Sequence, residues 1–361
     1  MFSTKIIARI AMKIVLIAIA VIVNFVGYNQ ITTATHAVGV NVLPGNPNIK
    51  YIGRWDISSS TVHTSYWPGA YLETKFTGTA VKIKLARSVN ICVSIDHGFY
   101  TLYASAKGMV NLTPKPLATG THSLMVAAYT EHDVIRFEGL VLDPGAQTVA
   151  PTVSSKLIEF VGDSITSGTL TSEHALSDYA WLIGERLSVE HTQIAQGGIS
   201  LTNKPSGVGM ATQYFKMQTV YFPNSPDWNF SRYRANVVVI NLGTNDAGIS
   251  NAMFQSTDIS FLQKIRQKYP HAHIFVLRTF RGTKANPIKS AANAVIAAGD
   301  HNVQYIDTTD WISASDTVDR VHPTDAGHVK IANQLGPIIA SALGMSWSPI
   351  IKSSRKQPDL Q

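Results

Sequence analysis

The stretch LIEFVGDSITSG, residues 157–168, opens on a strand-like apolar run and stops at a glycine, an aspartate and a serine. A short apolar run bounded by turn residues reads as a buried strand. A strand that delivers a small hydroxyl residue to its end is either a plain strand-to-helix turn or the seat of a nucleophile. In the first reading Ser164 is a helix N-cap, a role serine fills well. The second needs a base, a group that orients the base, and donors for a developing oxyanion elsewhere in the chain.

Downstream, the runs HTQIAQ, VVVINL, HIFVLRT and VQYID continue the strand pattern, the first of them weakly. Helical stretches fall between or after them: SDYAWLIGERL, STDISFLQKIRQKY, NPIKSAANAVIAAG and TDAGHVKIANQLGPIIASAL. Strands alternating with helices predict right-handed βαβ units, hence an α/β fold with a parallel sheet covered on both faces. This layer is expected over residues 157–345. In such sheets a ligand lies outside the carboxyl ends of the strands.

Upstream the period changes. YLETKFTG, AVKIKLA, ICVSID, FYTLYAS, HSLMVAAY and VIRFEGLVL read as short strands with partial alternation, separated by Gly, Asn, Pro or Asp turns. Asp96-His97-Gly98 reads as a hairpin turn. Many short strands without a long helical pattern predict an all-β sandwich over residues 45–145. The Pro, Ser and Thr-rich stretch at 143–155 predicts a linker, placed at 146–156.

The ends carry most of the formal charge of +7: three positive residues (Lys5, Arg9, Lys13) at one end and a net two within residues 346–361 at the other leave +2 on the body. No basic stripe of the kind a nucleic-acid binder needs is visible in that body. Lys5, Arg9 and Lys13 precede the apolar run IVLIAIAVIVNFV, and small residues follow at Ala34 and Ala37. Residues 1–37 are therefore expected to be a secretory signal peptide, with a signal anchor as the alternative. That places the protein outside the cell, without stable membrane association unless the segment is retained. Two sequons, Asn111-Leu-Thr and Asn229-Phe-Ser, fit an exported surface. Cys92 is the only cysteine, so no intramolecular disulfide can form, and it is expected to pack as a small hydrophobe.

Four strand-like or loop segments end in clusters that a reactive site needs: Gly162-Asp163-Ser164, Gly197-Gly198, Gly243-Thr244-Asn245-Asp246, and Asp319 three residues before His322. A serine hydroxyl needs a base poised near neutral pH, which histidine supplies. The imidazole needs an acceptor on its other nitrogen, and Asp319 is near enough in sequence to be one. The oxyanion needs donors already in place. Ser164 can offer its own N–H at a helix N-terminus, a glycine N–H allows close approach, and the Asn245 amide is a third donor. Asp163 is read as a turn or capping residue. His271 and His273 lack a third ligand and are read as surface, so no metal and no cofactor are expected. The aromatic-rich loop Leu201–Asn236 is expected to pack as core, though its length also suits a substrate wall. Trp311 is read as packing.

These blocks, in this order, resemble the SGNH (GDSL-type) hydrolase superfamily over roughly residues 155–345. The resemblance implies that Ser164 is the nucleophile, His322 the base and Asp319 its orienting acid. It implies an oxyanion hole of Ser164, Gly198 and Asn245. Its glycine block departs from the family pattern, since no asparagine leads it and Gly197 competes with Gly198. The front half, YIGRWDISSSTVHTSYWPGAYLETKFTGTAVKIKL with SIDHG beyond, resembles the sandwich that precedes this domain in carbohydrate esterase family two. A three-layer α/β/α domain behind a jelly-roll-like sandwich is the implied fold. The implied activity is O-deacetylation of carbohydrate of the xylan or mannan type through an acyl-enzyme, the partner being an acetylated polysaccharide or oligosaccharide. A GDSL-type lipase or thioesterase is the alternative chemistry. A carbohydrate-binding or cell-surface protein with an inactive hydrolase domain is the alternative of another class.

Overall fold

Val81–Ile95 forms one strand of fifteen residues where the sequence pattern suggested two shorter ones, and its bend organises the front half. The computed structural model describes residues 38–351; the expected signal segment, 1–37, and all but the first six residues of the expected basic tail lie outside them. The front half is a ten-stranded antiparallel sheet. Its strands are β1 Val40–Val42, β2 Lys50–Ile52, β3 Trp55–Asp56, β4 His63–Ser65, β5 Tyr71–Gly78, β6 Val81–Ile95, β7 Thr101–Asn111, β8 Gly120–Ala128, β9 Arg136–Leu142 and β10 Thr148–Val149.

The register of β6 shifts between Leu85 and Ile91. Before the shift Val81–Leu85 pair with β9; after it Ile91–Ile95 pair with β8. One strand thus serves two layers, as at the corner of a sandwich, and the exposed residues at the bend made it read as two. Between the layers lie Trp55, Leu72, Phe76, Ile83, Val126 and Phe137, all fully buried. The β6–β7 turn has positive φ at Asp96 (52°) and His97 (56°). Gly98 N–H donates to Ile95 O at 2.9 Å and closes it, the backbone that suits the right-handed twist of a hairpin. The expected linker is partly a correction: Thr148 and Val149 form β10 and pair with Phe76 and Lys75 of β5.

The second half is a five-stranded parallel sheet, with β11 Leu157–Gly162, β12 Glu190–Ala195, β13 Val237–Asn241, β14 His273–Leu277 and β15 Val303–Ile306. Helices α1 Tyr179–Leu187, α2 Met210–Gln213, α3 Asn251–Lys268, α4 Ala285–Ala297 and α5 Asp325–Ala342 connect and cover it. The spatial order is β12-β11-β13-β14-β15, so the chain reverses direction across the sheet beside β11. That reversal opens a crevice at the carboxyl ends of β11 and β13. Among the described residues no helix is long and apolar enough to cross a membrane. Trp311 packs against the apolar cluster under α5, and Cys92 is free and buried, its thiol pushed up to about 12 by burial.

Arg54, from the turn between β2 and β3, is fully buried and reaches across to the second sheet. It donates to the carbonyls of Tyr214 and of Lys216 (2.6 Å) and lies 3.8 Å from Glu159 of β11. The Glu159 carboxylate also accepts from the hydroxyls of Tyr214 and Tyr233. The rings of Trp67, Tyr214, Trp228 and Phe230 stand 5.0–5.6 Å from the guanidinium. The aromatic loop therefore packs as core around a buried ion pair.

Candidate active site

Ser164 follows β11 directly. A Cβ on Gly162 would come within 2.1 Å of Thr166 Oγ1, so the chain can fold back here only at a glycine. Thr166 and Ser167 N–H groups both donate to Asp163 O at 3.1 Å. The expected helix behind Ser164 is absent: residues 164–170 form successive turns, and the next α-helix starts at Tyr179. Gly168 (φ 71°) and Leu170 (φ 68°) take the left-handed conformation, which a helix cannot continue. Any anion at the Ser164 N–H is held by local amides without a helix dipole. Asp163 does what a turn residue does. Its carboxylate accepts from Ile165 N–H at 3.0 Å. Burial raises its pKa to about 6.

His322 sits in a tight loop ahead of α5. Val318 N–H donates to His322 O at 2.8 Å, and Thr317 bridges Pro323. Asp319 Oδ1 accepts from the N–H groups of Val321 (3.0 Å) and His322 (2.8 Å), while its Oδ2 meets His322 Nδ1 at 2.8 Å. The His322 N–H and ring hold the Asp319 carboxyl well below the usual carboxylate range. A carboxylate on Nδ1 fixes that nitrogen as the protonated one, which leaves the Nε2 lone pair free. Nε2 lies 2.9 Å from Ser164 Oγ.

The other two blocks arrive from β12 and β13. Asn245 Nδ2 donates one hydrogen to Ile199 O at 2.9 Å, and an amide carries two. Its neighbour Asp246, fully buried, accepts from Leu201 N–H (2.8 Å), Thr202 N–H (3.1 Å) and Thr202 Oγ1 (2.6 Å). Asp246 therefore fastens the block after β13 to the glycine block after β12, a role that sequence reading missed. Gly197 N–H is engaged by Glu131 Oε2 at 2.6 Å. Gly198 has φ 73° and open space where a Cβ would be. Among the described residues the N–H groups of Ser164 and Gly198 donate to no protein acceptor.

Ser164, Gly197, Gly198, Asn245 and His322 line one cleft of about 530 Å³, within the usual range for a small-molecule site. Asp319 stands behind the histidine, its side chain 43% exposed. Thr130, Glu131 and His132 of the antiparallel half also line this cleft. Sequence reading missed them; the signal was the Thr-x-x-Asp turn in YTEHD. His271 and His273 lie away from it, the latter stacked on Phe275. Among the described residues no group of three or more His, Cys, Asp or Glu could hold a metal ion.

Residues 160–330 match the GDSL-like Lipase/Acylhydrolase family, and residues 51–151 match the Carbohydrate esterase 2 N-terminal family. The chain is 29% identical over 326 residues to the cellulase/esterase CelE of Acetivibrio thermocellus, covering 83% of this chain and 40% of that protein. It is 28% identical over 207 residues to an acetylxylan esterase / glucomannan deacetylase of Cellvibrio japonicus, covering 51% of this chain and 56% of that one. The chain thus spans about half the length of these two relatives. A family two carbohydrate esterase from Clostridium thermocellum, solved in complex with cellohexaose, is similar at 28% identity and a TM-score of 0.71. That similarity covers 82% of this chain and 99% of the solved one.

Proposed function

The chain carries a GDSL-like lipase/acylhydrolase domain behind a carbohydrate esterase 2 N-terminal domain, and from that premise we propose a serine esterase that removes O-acetyl groups from carbohydrate of the xylan or glucomannan type. The observation that carries the reading is the unbroken chain from Asp319 Oδ2 to His322 (2.8 Å) and from His322 to Ser164 Oγ (2.9 Å).

His322 Nε2 takes the Ser164 proton as Oγ attacks the acetyl carbonyl, and Asp319 stabilises the imidazolium through Nδ1–H. The N–H groups of Ser164 and Gly198, with the second Asn245 amide hydrogen, receive the oxyanion; each such donor is worth about 10²–10³ in rate. The engagement of Gly197 by Glu131 favours Gly198 as the glycine donor. His322 then protonates the departing sugar oxygen and activates the water that releases acetate from Ser164. The charged N-terminal segment and its apolar run support export of the enzyme to polymeric substrate.

Ser164→Ala, assayed by acetate release from acetylated xylan, is expected to lose at least about 10⁴-fold in kcat. Retention within a few-fold would remove the serine from the reaction. Acyl-chain profiling on aryl esters is expected to show a steep fall beyond acetyl, whereas a flat profile to long chains would instead favour a lipase.

A further inference from the structure

The loop between β8 and β9 is held from both sides. The Asp133 carboxylate, almost fully buried, accepts from Thr130 N–H (3.0 Å), Thr130 Oγ1 (2.7 Å) and Asn90 N–H (3.0 Å). Tyr129 binds the other half: its carbonyl accepts from Ala175 N–H at 3.3 Å and its hydroxyl donates to Ser172 O at 3.2 Å. This fixed turn presents Glu131 to the cleft with its side chain 11% exposed. Gly197 is shaped to receive it, since a Cβ there would meet Glu131 Oε1 at 2.8 Å. Tyr221 OH donates to the same Oε1 at 3.2 Å. His132 Nε2 also stands 3.6 Å from Oε1, and these partners still leave part of the acceptor capacity of this carboxylate unused.

A carboxylate seated one residue from an oxyanion donor opposes negative charge there, a cost that a bound group donating to its remaining lone pairs would offset. A neutral sugar offers only hydroxyl donors beside its acetyl ester, and a carboxylate accepts these through strong charge-assisted bonds. We propose that Glu131, contributed by the antiparallel half, is a specificity-determining residue: it accepts a hydrogen bond from a free hydroxyl next to the acetylated position and repels sugars that carry a carboxylate. The inference rests on the esterase reading above and names the substrate class within it, neutral O-acetylated glycan.

The test compares kcat/KM for Glu131→Gln and wild type on three esters: a neutral acetylated xylo-oligosaccharide, an acetylated galacturonate oligosaccharide and 4-nitrophenyl acetate, which has no hydroxyl. The ratio of xylo-oligosaccharide to aryl ester is expected to fall about tenfold in the variant, mainly through KM. Its preference for neutral over acidic sugar should narrow by a similar factor. Equal losses on all three esters would make Glu131 a mere prop for Gly197 and overturn the inference, as would no change at all. Wild-type enzyme that cleaves the galacturonate ester as fast as the neutral one overturns it without recourse to any variant. Wild-type enzyme that cleaves the aryl ester but no sugar acetate overturns the esterase reading itself, and this inference with it.

Discussion

The two sheets place their polar groups by opposite rules. In the parallel sheet every strand ends on the same side, so the segments after β11, β12 and β13 deliver Ser164, Gly198 and Asn245 to one crevice. In the antiparallel sheet neighbouring strands end on opposite sides, and that half reaches the cleft through the one loop holding Thr130, Glu131 and His132. Among its deep contacts with the second half, such as Trp67 on Met217 and Tyr71 against Trp181, Arg54 is the charged one, buried beside Glu159. Chemistry therefore concentrates in the parallel layer, while the antiparallel layer supplies a wall and a brace. The front half is a working part of the cleft, more than an appended module.

The brace offers the harshest way to break this comparison. Removing one partner of a buried ion pair leaves the other charged and uncompensated, at about 3–5 kcal/mol. Arg54→Ala is thus expected to lower the Tm by about 10 °C, read by calorimetry. Adding Glu159→Gln should recover part of that loss. A single variant with unchanged Tm would show that the two halves do not depend on this contact.

A smaller effect tests how the parallel half orients His322. Asp319 is 43% exposed, so its charge acts through a higher local dielectric than that of a buried acid. Its three accepted bonds hold the histidine in place nonetheless. Asp319→Ala is expected to cost about 10²-fold in kcat, less than the 10⁴-fold known when a buried triad acid is replaced. An unchanged kcat would mean that the loop around His322 suffices alone.

The smallest effect compares hidden carboxyls, one in each half. Burial raises Glu73 of β5 and Asp258 of α3 to about 8. Both favour the protonated form in the fold, so their stabilising contribution is complete below the unfolded carboxylate range and is lost as pH rises through about 8. Wild-type Tm is expected to decline from pH 5 to 8. Glu73→Gln and Asp258→Asn should each flatten part of that slope. A slope unaffected by either change would place the pH sensitivity elsewhere.

The parallel half was legible because its strands are buried on both faces and read as apolar runs; even the weak HTQIAQ forms β12. The clusters at strand ends stood out against those runs, so Ser164, Asn245, Asp319 and His322 could be singled out from residue types alone. The antiparallel half was less legible. Its bent strand β6 changes partners midway, and the exposed residues at the bend imitate a loop. The Thr148–Val149 strand hides inside a proline-containing stretch. Glu131 and Arg54 were not visible as site or brace residues because each acquires its role from a partner in the other half, at a sequence distance that no local pattern reports. The absent helix after Ser164 has a local cause: two left-handed residues, Gly168 and Leu170, interrupt it.

The most direct measurement is rapid acid quenching of the enzyme during turnover of 4-nitrophenyl acetate, followed by peptide mapping by mass spectrometry. The account predicts an acetyl group on the peptide bearing Ser164, its site assigned to that residue by fragmentation and absent from the Ser164→Ala protein. An acetyl group carried by another residue, or undiminished turnover by Ser164→Ala, would contradict it.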